Sequence, residues 1–362
     1  MKKSTLKKMT AVVIVMLSLN VGGVFADEAL EPEIQEVCLT YEEAAAKAID
    51  QSVVIRNQLK ELEKLETFRE EAGMELRYFG GSDTALFTLL RRIHSLDASI
   101  QVLKKEIEVT RERVAYDVRA AMNIISLLEQ EELLENMRLQ NAGKSMEEAK
   151  ARYAAGTLSL HELNLSRVAY DEIVSTLSLL EISIENAWAT FTMLTRITVD
   201  QCQNFEFNHD YQPLVEDLSS RLIQRFINNH PSLWNQEMKI QMAELELTLY
   251  TYQTNADSYS IRLIDLSIEK SNLVELKARL EETVRSQYYQ VQKTEAAIDE
   301  LHRRLESLDS NIIRLTDFHQ SGIATSAQVE AVRFQKTELE KVLLNKIIDH
   351  QQQIERLYKP YV

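Results

Sequence analysis

Residues 153–164 read YAAGTLSLHELN, and residues 318–330 read FHQSGIATSAQVE. In each, a glycine (Gly156, Gly322) interrupts sequence that is otherwise helical in character, and an apolar residue follows within two positions. Glycine is scarce, eight in 362 residues; outside the N-terminal segment the others are Gly73, Gly80, Gly81 and Gly143. Placed so sparingly, a glycine reads as punctuation: it takes up the left-handed backbone that ends one helix and lets the next begin. Proline occurs only at Pro32, Pro213, Pro231 and Pro360, so 33–212 and 232–359 permit very long uninterrupted helices.

Heptads flank both turns. Leu89, Ile93, Leu96, Ile100, Leu103 and Ile107 precede the first; Ile173, Leu177, Leu180, Ile184, Ala187 and Phe191 follow it. Val291, Ile298, Leu301, Leu305, Leu308 and Ile312 precede the second, and Leu339, Leu343, Ile347 and Ile354 follow it more loosely. Steps of three and four are the signature of helices packed side by side. A helix over 89–153 would run on the order of 95 Å, so the spacing predicts an elongated, all-α molecule of antiparallel coiled-coil hairpins.

The chain also repeats itself. AIDQSVVIRNQ (48–58) aligns with FINNHPSLWNQ (226–236) at an offset of 178, whereas the glycine turns align at 166. The first repeat therefore carries about twelve extra residues, for which RYFGGSDTALFT (77–88) is the natural place. The division is a leader over 1–26, a first helical repeat over 27–198 with its tip near 153–160, and a second over 199–362 with its tip near 318–326. Thr40-Tyr41-Glu42-Glu43 is a capping box opening the first repeat, and Pro213 is read as a first-turn residue of the second.

MKKSTLKK, the apolar stretch TAVVIVMLSL and VFA before Asp27 form a secretory signal peptide, too short for a stable membrane span. Removing its four lysines takes the net charge from −15 to −19. So acidic an exported chain is a poor ligand for nucleic acid, and any lumen it encloses is expected to favour cations. Cys38 and Cys202 each precede the start of a repeat; they either bridge the repeats or stay unpaired. The histidines form no HExxH and no metal pair, adjacent carboxylates such as Glu281-Glu282 point about 100° apart on a helix, and no glycine-rich phosphate loop occurs. No cofactor is expected, and catalysis is excluded as a reading.

LTYEEAAAKAIDQSVVI (39–55) with LSSRLIQRFINNHPSL (218–233), the tandem halves, and the paired Tyr153-x-x-Gly156 and His319-x-x-Gly322 turns together resemble the TolC-like outer-membrane efflux protein family. The resemblance implies an envelope-located homotrimer whose two repeats per chain build a twelve-helix tube, without enzymatic activity. It also implies that the tips dock a periplasmic adaptor driven by an inner-membrane pump, which assigns partner contact to Gly156, Thr157, Leu158, Leu160, Gly322, Ile323 and Ala324. The family's β-barrel strands are expected to be vestigial or absent: 77–88 is too short for two spanning strands, and 250–270 offers at most one weak strand, where Tyr259, Ile261 and Leu263 alternate. The other reading is a soluble extracytoplasmic scaffold or adaptor that conducts nothing. Closure distinguishes them, because a tube needs apolar residues on two faces of its long helices.

Overall fold

The computed structural model describes residues 39–198, 210–250 and 258–361. The leader and both cysteines lie outside these residues. Within them the chain is helical: α1 (Tyr41–Gln51), α2 (Val53–Arg77), α3 (Asp83–Ala154), α4 (Leu160–Thr195), α5 (Ser220–Asn229), α6 (Pro231–Thr248), α7 (Tyr259–Gln320) and α8 (Ser326–Tyr358). The described residues contain no β-strand. Helix α3, at 72 residues, extends about 108 Å.

The second four helices repeat the first four. Each repeat opens with a short helix that breaks sharply into the next. At the first break Ser52 has φ −64° and ψ 116°, and its hydroxyl accepts the Ile55 N–H. At the matched position, 178 residues on, His230 has φ −76° and ψ 126°, and its Nδ1 accepts the Ser232 N–H at 3.2 Å. Pro231 follows, which forces its predecessor out of the helical region and supplies a first-turn residue that needs no N–H partner.

Several expectations are corrected here. Pro213 lies in the linker; the cap of α5 is Ser219, whose hydroxyl accepts the Leu222 N–H. The first long helix starts at Asp83 rather than Leu89, behind Ser82. The extra length of the first repeat is spread over both its helices and is not confined to 77–88. Its α2 has 25 residues against 18 in α6, and its α3 has 72 against 62 in α7. Tyr259, Ile261 and Leu263 open helix α7, where Ser258 caps by accepting the Ile261 N–H. Ile261, Ile264 and Ile268 then follow helical spacing, which outweighs the brief alternation. Residues 251–257 of the candidate strand segment lie outside the described part.

Helices α3 and α4 form one antiparallel hairpin and α7 and α8 the other, while α3 also packs against α8. The order across the layer is therefore α4–α3–α8–α7. Matched cores hold the end of each hairpin away from its tip. In the first, Ala44 and Ala48 of α1 meet Val118 and Met122 of α3 and Trp188 and Phe191 of α4. In the second, Leu222 and Phe226 of α5 meet Val284 and Tyr288 of α7 and Leu357 of α8. Small residues on α1 are balanced by Trp188 and Phe191, which meet edge to face at 5.9 Å between ring centroids; large residues on α5 are balanced by Leu357. The large side chains thus sit on α4 in the first core and on α5 in the second.

The seam between the hairpins is ionic instead. Along antiparallel α3 and α8, Lys144 meets Glu330 at 2.8 Å and Arg138 meets Glu338 at 2.5 Å. Glu131 meets Lys341, Arg119 meets Glu355 at 3.0 Å, and Glu112 meets Lys359 at 2.5 Å. Such half-exposed pairs contribute at most about 1 kcal/mol each, so the seam supplies register more than strength.

Candidate functional site: the glycine tips and the edge helices

Both tips are built the same way. Gly156 has φ 71° and Gly322 φ 73°. At the first, the Thr157 N–H donates to Arg152 O and the Gly156 N–H to Tyr153 O, both at 2.9 Å. At the second, the Ile323 N–H donates to Phe318 O at 2.8 Å and the Gly322 N–H to His319 O at 3.0 Å. These paired bonds close the last carbonyls of a helix through a left-handed glycine. Three residues beyond the glycine, Ser159 and Thr325 cap the next helix, each in a reciprocal capping box with Glu162 and Gln328 respectively. Gly-x-x-Ser/Thr is thus the shortest sequence that stops one helix and starts another here.

The turn itself absorbs some of the predicted site residues. Thr157 donates its hydroxyl to Arg152 O at 3.0 Å, and Leu158 and Ala324 are half-buried. Leu160 (56% exposed) and Ile323 (74% exposed) project into solvent, accompanied by Tyr153 and Phe318, which the sequence reading had left out. Their signal was available as aromatic residues in the last turn before a helix-ending glycine. The Lys144–Glu330 pair ties the two hairpins together close to their tips, which lie at the same end of the molecule.

The edge helices carry a second feature. Helix α4 packs against α3 and α1, and α7 against α8, α6 and α5. On α4 the exposed residues Leu165, Val168, Leu179, Ile182 and Met193 recur at two-heptad intervals, with Leu179 66% exposed. They lie on the face opposite the buried Leu180, Ala187 and Phe191, alternating there with Glu172, Ser175 and Asn186. Helix α7 exposes Ile261, Ile264, Ile268 and Val274, the last 71% exposed.

No protein-family model and no curated protein sequence matches the chain. Solved structures do. The outer membrane protein VceC from Vibrio cholerae superposes with a TM-score of 0.62 at 12% identity, over 88% of this chain and 96% of that one. CusC gives 0.65 at 12% identity, over 89% and 91%. The Campylobacter jejuni CmeC outer membrane channel gives 0.60 at 9% identity, over 95% and 93%. At such identities the likeness is one of architecture: the chain has the TolC-like fold of these outer-membrane proteins, in a form whose described residues contain no β-strand.

Proposed function

We propose that the chain is exported and closes, as a homotrimer, into a helical tube that serves as the conduit component of an efflux or secretion system. The glycine tips dock a periplasmic adaptor, and an inner-membrane pump supplies the energy. The observation that carries this reading is the internal repeat itself. The outward face of α4 corresponds, 166 residues on, to the face of α8 that α3 covers, and the counterpart of α3 is α7. The repeat therefore assigns an α7 from another copy to the uncovered face of α4. An α4-to-α7 contact is head-to-tail, so it continues from copy to copy until the ring closes. Each apolar side chain buried in that contact contributes roughly 1.5–3 kcal/mol. The tip residues Leu160, Ile323, Tyr153 and Phe318 then gather at one mouth of the tube, an apolar rim suited to the hairpins of an adaptor.

Light scattering after gel filtration of the exported protein, with and without detergent, tests the assembly. A mass of three chains without detergent is expected. A stable monomer under both conditions would remove the tube and leave the scaffold reading in its place. Bridging the adaptor and pump would then need no lumen.

A further inference from the structure

The breaks that open the two repeats match in shape and differ in chemistry. At the first the acceptor is the Ser52 hydroxyl, which keeps its protonation state across the physiological range; at the second it is the His230 imidazole. Nδ1 accepts the Ser232 N–H, so it presents a lone pair there and the ring is neutral. A proton on that nitrogen turns the acceptor into a donor and sets two N–H groups against each other. The ring is half-buried, with its centroid 6.0 Å from that of Phe226, and the first turn of α6 holds no acidic residue to receive an imidazolium.

Trp234 carries the state of this break to the other repeat. It stands one turn into α6, and its indole N–H donates back across the break to Asn228 O at 2.7 Å. The Lys105 ammonium of α3 covers its ring, 4.5 Å from the centroid. Helix α6 also packs against α7, where the Gln236 amide donates to the Glu269 carboxylate at 2.6 Å. A change of angle at His230 therefore draws Trp234 away from Lys105 while Gln236 keeps α6 on α7. In the first repeat the position of Trp234 is taken by the exposed Arg56.

Charged groups on the surrounding elements are engaged with one another: Arg225 of α5 with Glu216 at 2.6 Å, Glu275 with Arg279 of α7 at 2.9 Å, and Arg119 of α3 with Glu355 of α8 at 3.0 Å. None of them shifts the imidazole, whose pKa is lowered by burial alone. The neutral, capping ring therefore prevails above the ordinary histidine value, and the proton enters as the pH falls below it.

We infer that the α5–α6 break is an acid-released latch: protonation of His230 uncaps α6 and frees it from α3, loosening one join between the repeats while α6 stays on α7. The device belongs to a single chain and does not depend on the ring.

Hydrogen exchange of the full exported chain, read by mass spectrometry and corrected for the intrinsic pH dependence of exchange, tests it. Between about pH 7 and about pH 5, protection over 231–240 is expected to fall by about tenfold, the weight of a lost helix cap. Protection over the matched stretch 53–62 should stay constant. His230→Ser, which installs the cap residue of the first repeat, should keep 231–240 protected at both values. In Trp188→Phe, where Trp234 is the remaining tryptophan, the emission should shift over the same interval, and adding His230→Ser should abolish the shift. The exchange measurement on the unaltered chain keeps the test valid if Trp188→Phe fails to fold. Constant protection over 231–240, an equal fall over 53–62, or a fall that persists in His230→Ser would overturn the latch. An equal fall at both breaks would mean general loosening of the fold in acid.

Discussion

At the scale of single residues the tips are decided by backbone conformation. A Cβ added to Gly156 or Gly322 would meet nothing within 4 Å, so a substitution there costs only the left-handed conformation. Gly156→Ala and Gly322→Ala should each lose about 1–2 kcal/mol in denaturant unfolding, and the asparagine variants less, since asparagine enters that region more readily. Equal losses for alanine and asparagine would mean that something other than φ sets the cost. These glycines were legible in the sequence because they were nearly the only ones in a helical chain. Tyr153 is legible as the aromatic of the turn motif, whereas Phe318 stands one position before its counterpart, His319, and so falls outside that motif. His230 was equally opaque. Burial lowers its pKa, and its Nδ1 must be unprotonated to cap α6. A histidine whose folded-state pKa is depressed contributes stability above its ordinary value of about 6.5, and that contribution is lost as the pH falls through the lowered value. His230→Asn, which keeps a cap acceptor, should therefore flatten the acid limb of a melting-temperature profile below pH 6.5. A limb unchanged by the substitution would place the sensitivity elsewhere.

Among the elements, the inverted volumes of the two cores govern what each helix tolerates. Phe226 is fully packed against Leu280, Val284 and Leu357, so Phe226→Ala should cost about 3–5 kcal/mol. At the matched position, Ala48→Phe drives a ring into Trp188 and Phe191 and should cost about 1–3 kcal/mol or more through overpacking. Chemical denaturation of both variants measures this; a neutral Ala48→Phe would show that the first core has unused space. Heptads and glycines make the long helices legible in the sequence. The starts of α3 and α7 were harder to place. Residues 83–88 mix polar and apolar side chains with no clear period, and Tyr259-Ser-Ile-Arg-Leu imitates a strand until Ile264 and Ile268 complete the helical face. Local pattern yields to the cap at Ser258 and to packing against α6. Pro213 misled for a related reason: a proline favours a first helical turn but does not create one, and Ser219 supplies the cap six residues later.

For the whole molecule the repeat turns intrachain geometry into a forecast for the seam between copies. The α3–α8 pair Arg138–Glu338 maps, through the offset of 166, onto Arg304 of one copy and Glu172 of the next. Glu172→Arg and Arg304→Glu should each lower the assembled mass seen by light scattering, and the double reversal should restore it. Failure of the double variant to recover would refute the register. Cooperative recovery of this kind isolates a direct contact. The sequence could not have given this pairing, because the outward stripe of α4 and its buried stripe are both heptads, and only the packed structure separates the face that is covered from the one left open.

The ionic seam between the hairpins has a further consequence for how a duplicated chain avoids confusing its own halves. Around a ring, the open edge of a first half could in principle join either a second half or another first half, since the two are built alike. The residues that α3 reads are Glu330, Glu338, Lys341 and Glu355 of α8 and Lys359 just beyond it; at the corresponding positions α4 carries Asn164, Glu172, Ser175, Ala189 and Met193. Only one of those five keeps its charge. An α3 presented to an α4 edge would leave Lys144, Glu131, Arg119 and Glu112 without counter-ions, against a strip that offers one carboxylate and no cation. In the proposed ring, unlike halves are thereby selected as neighbours and the two halves alternate.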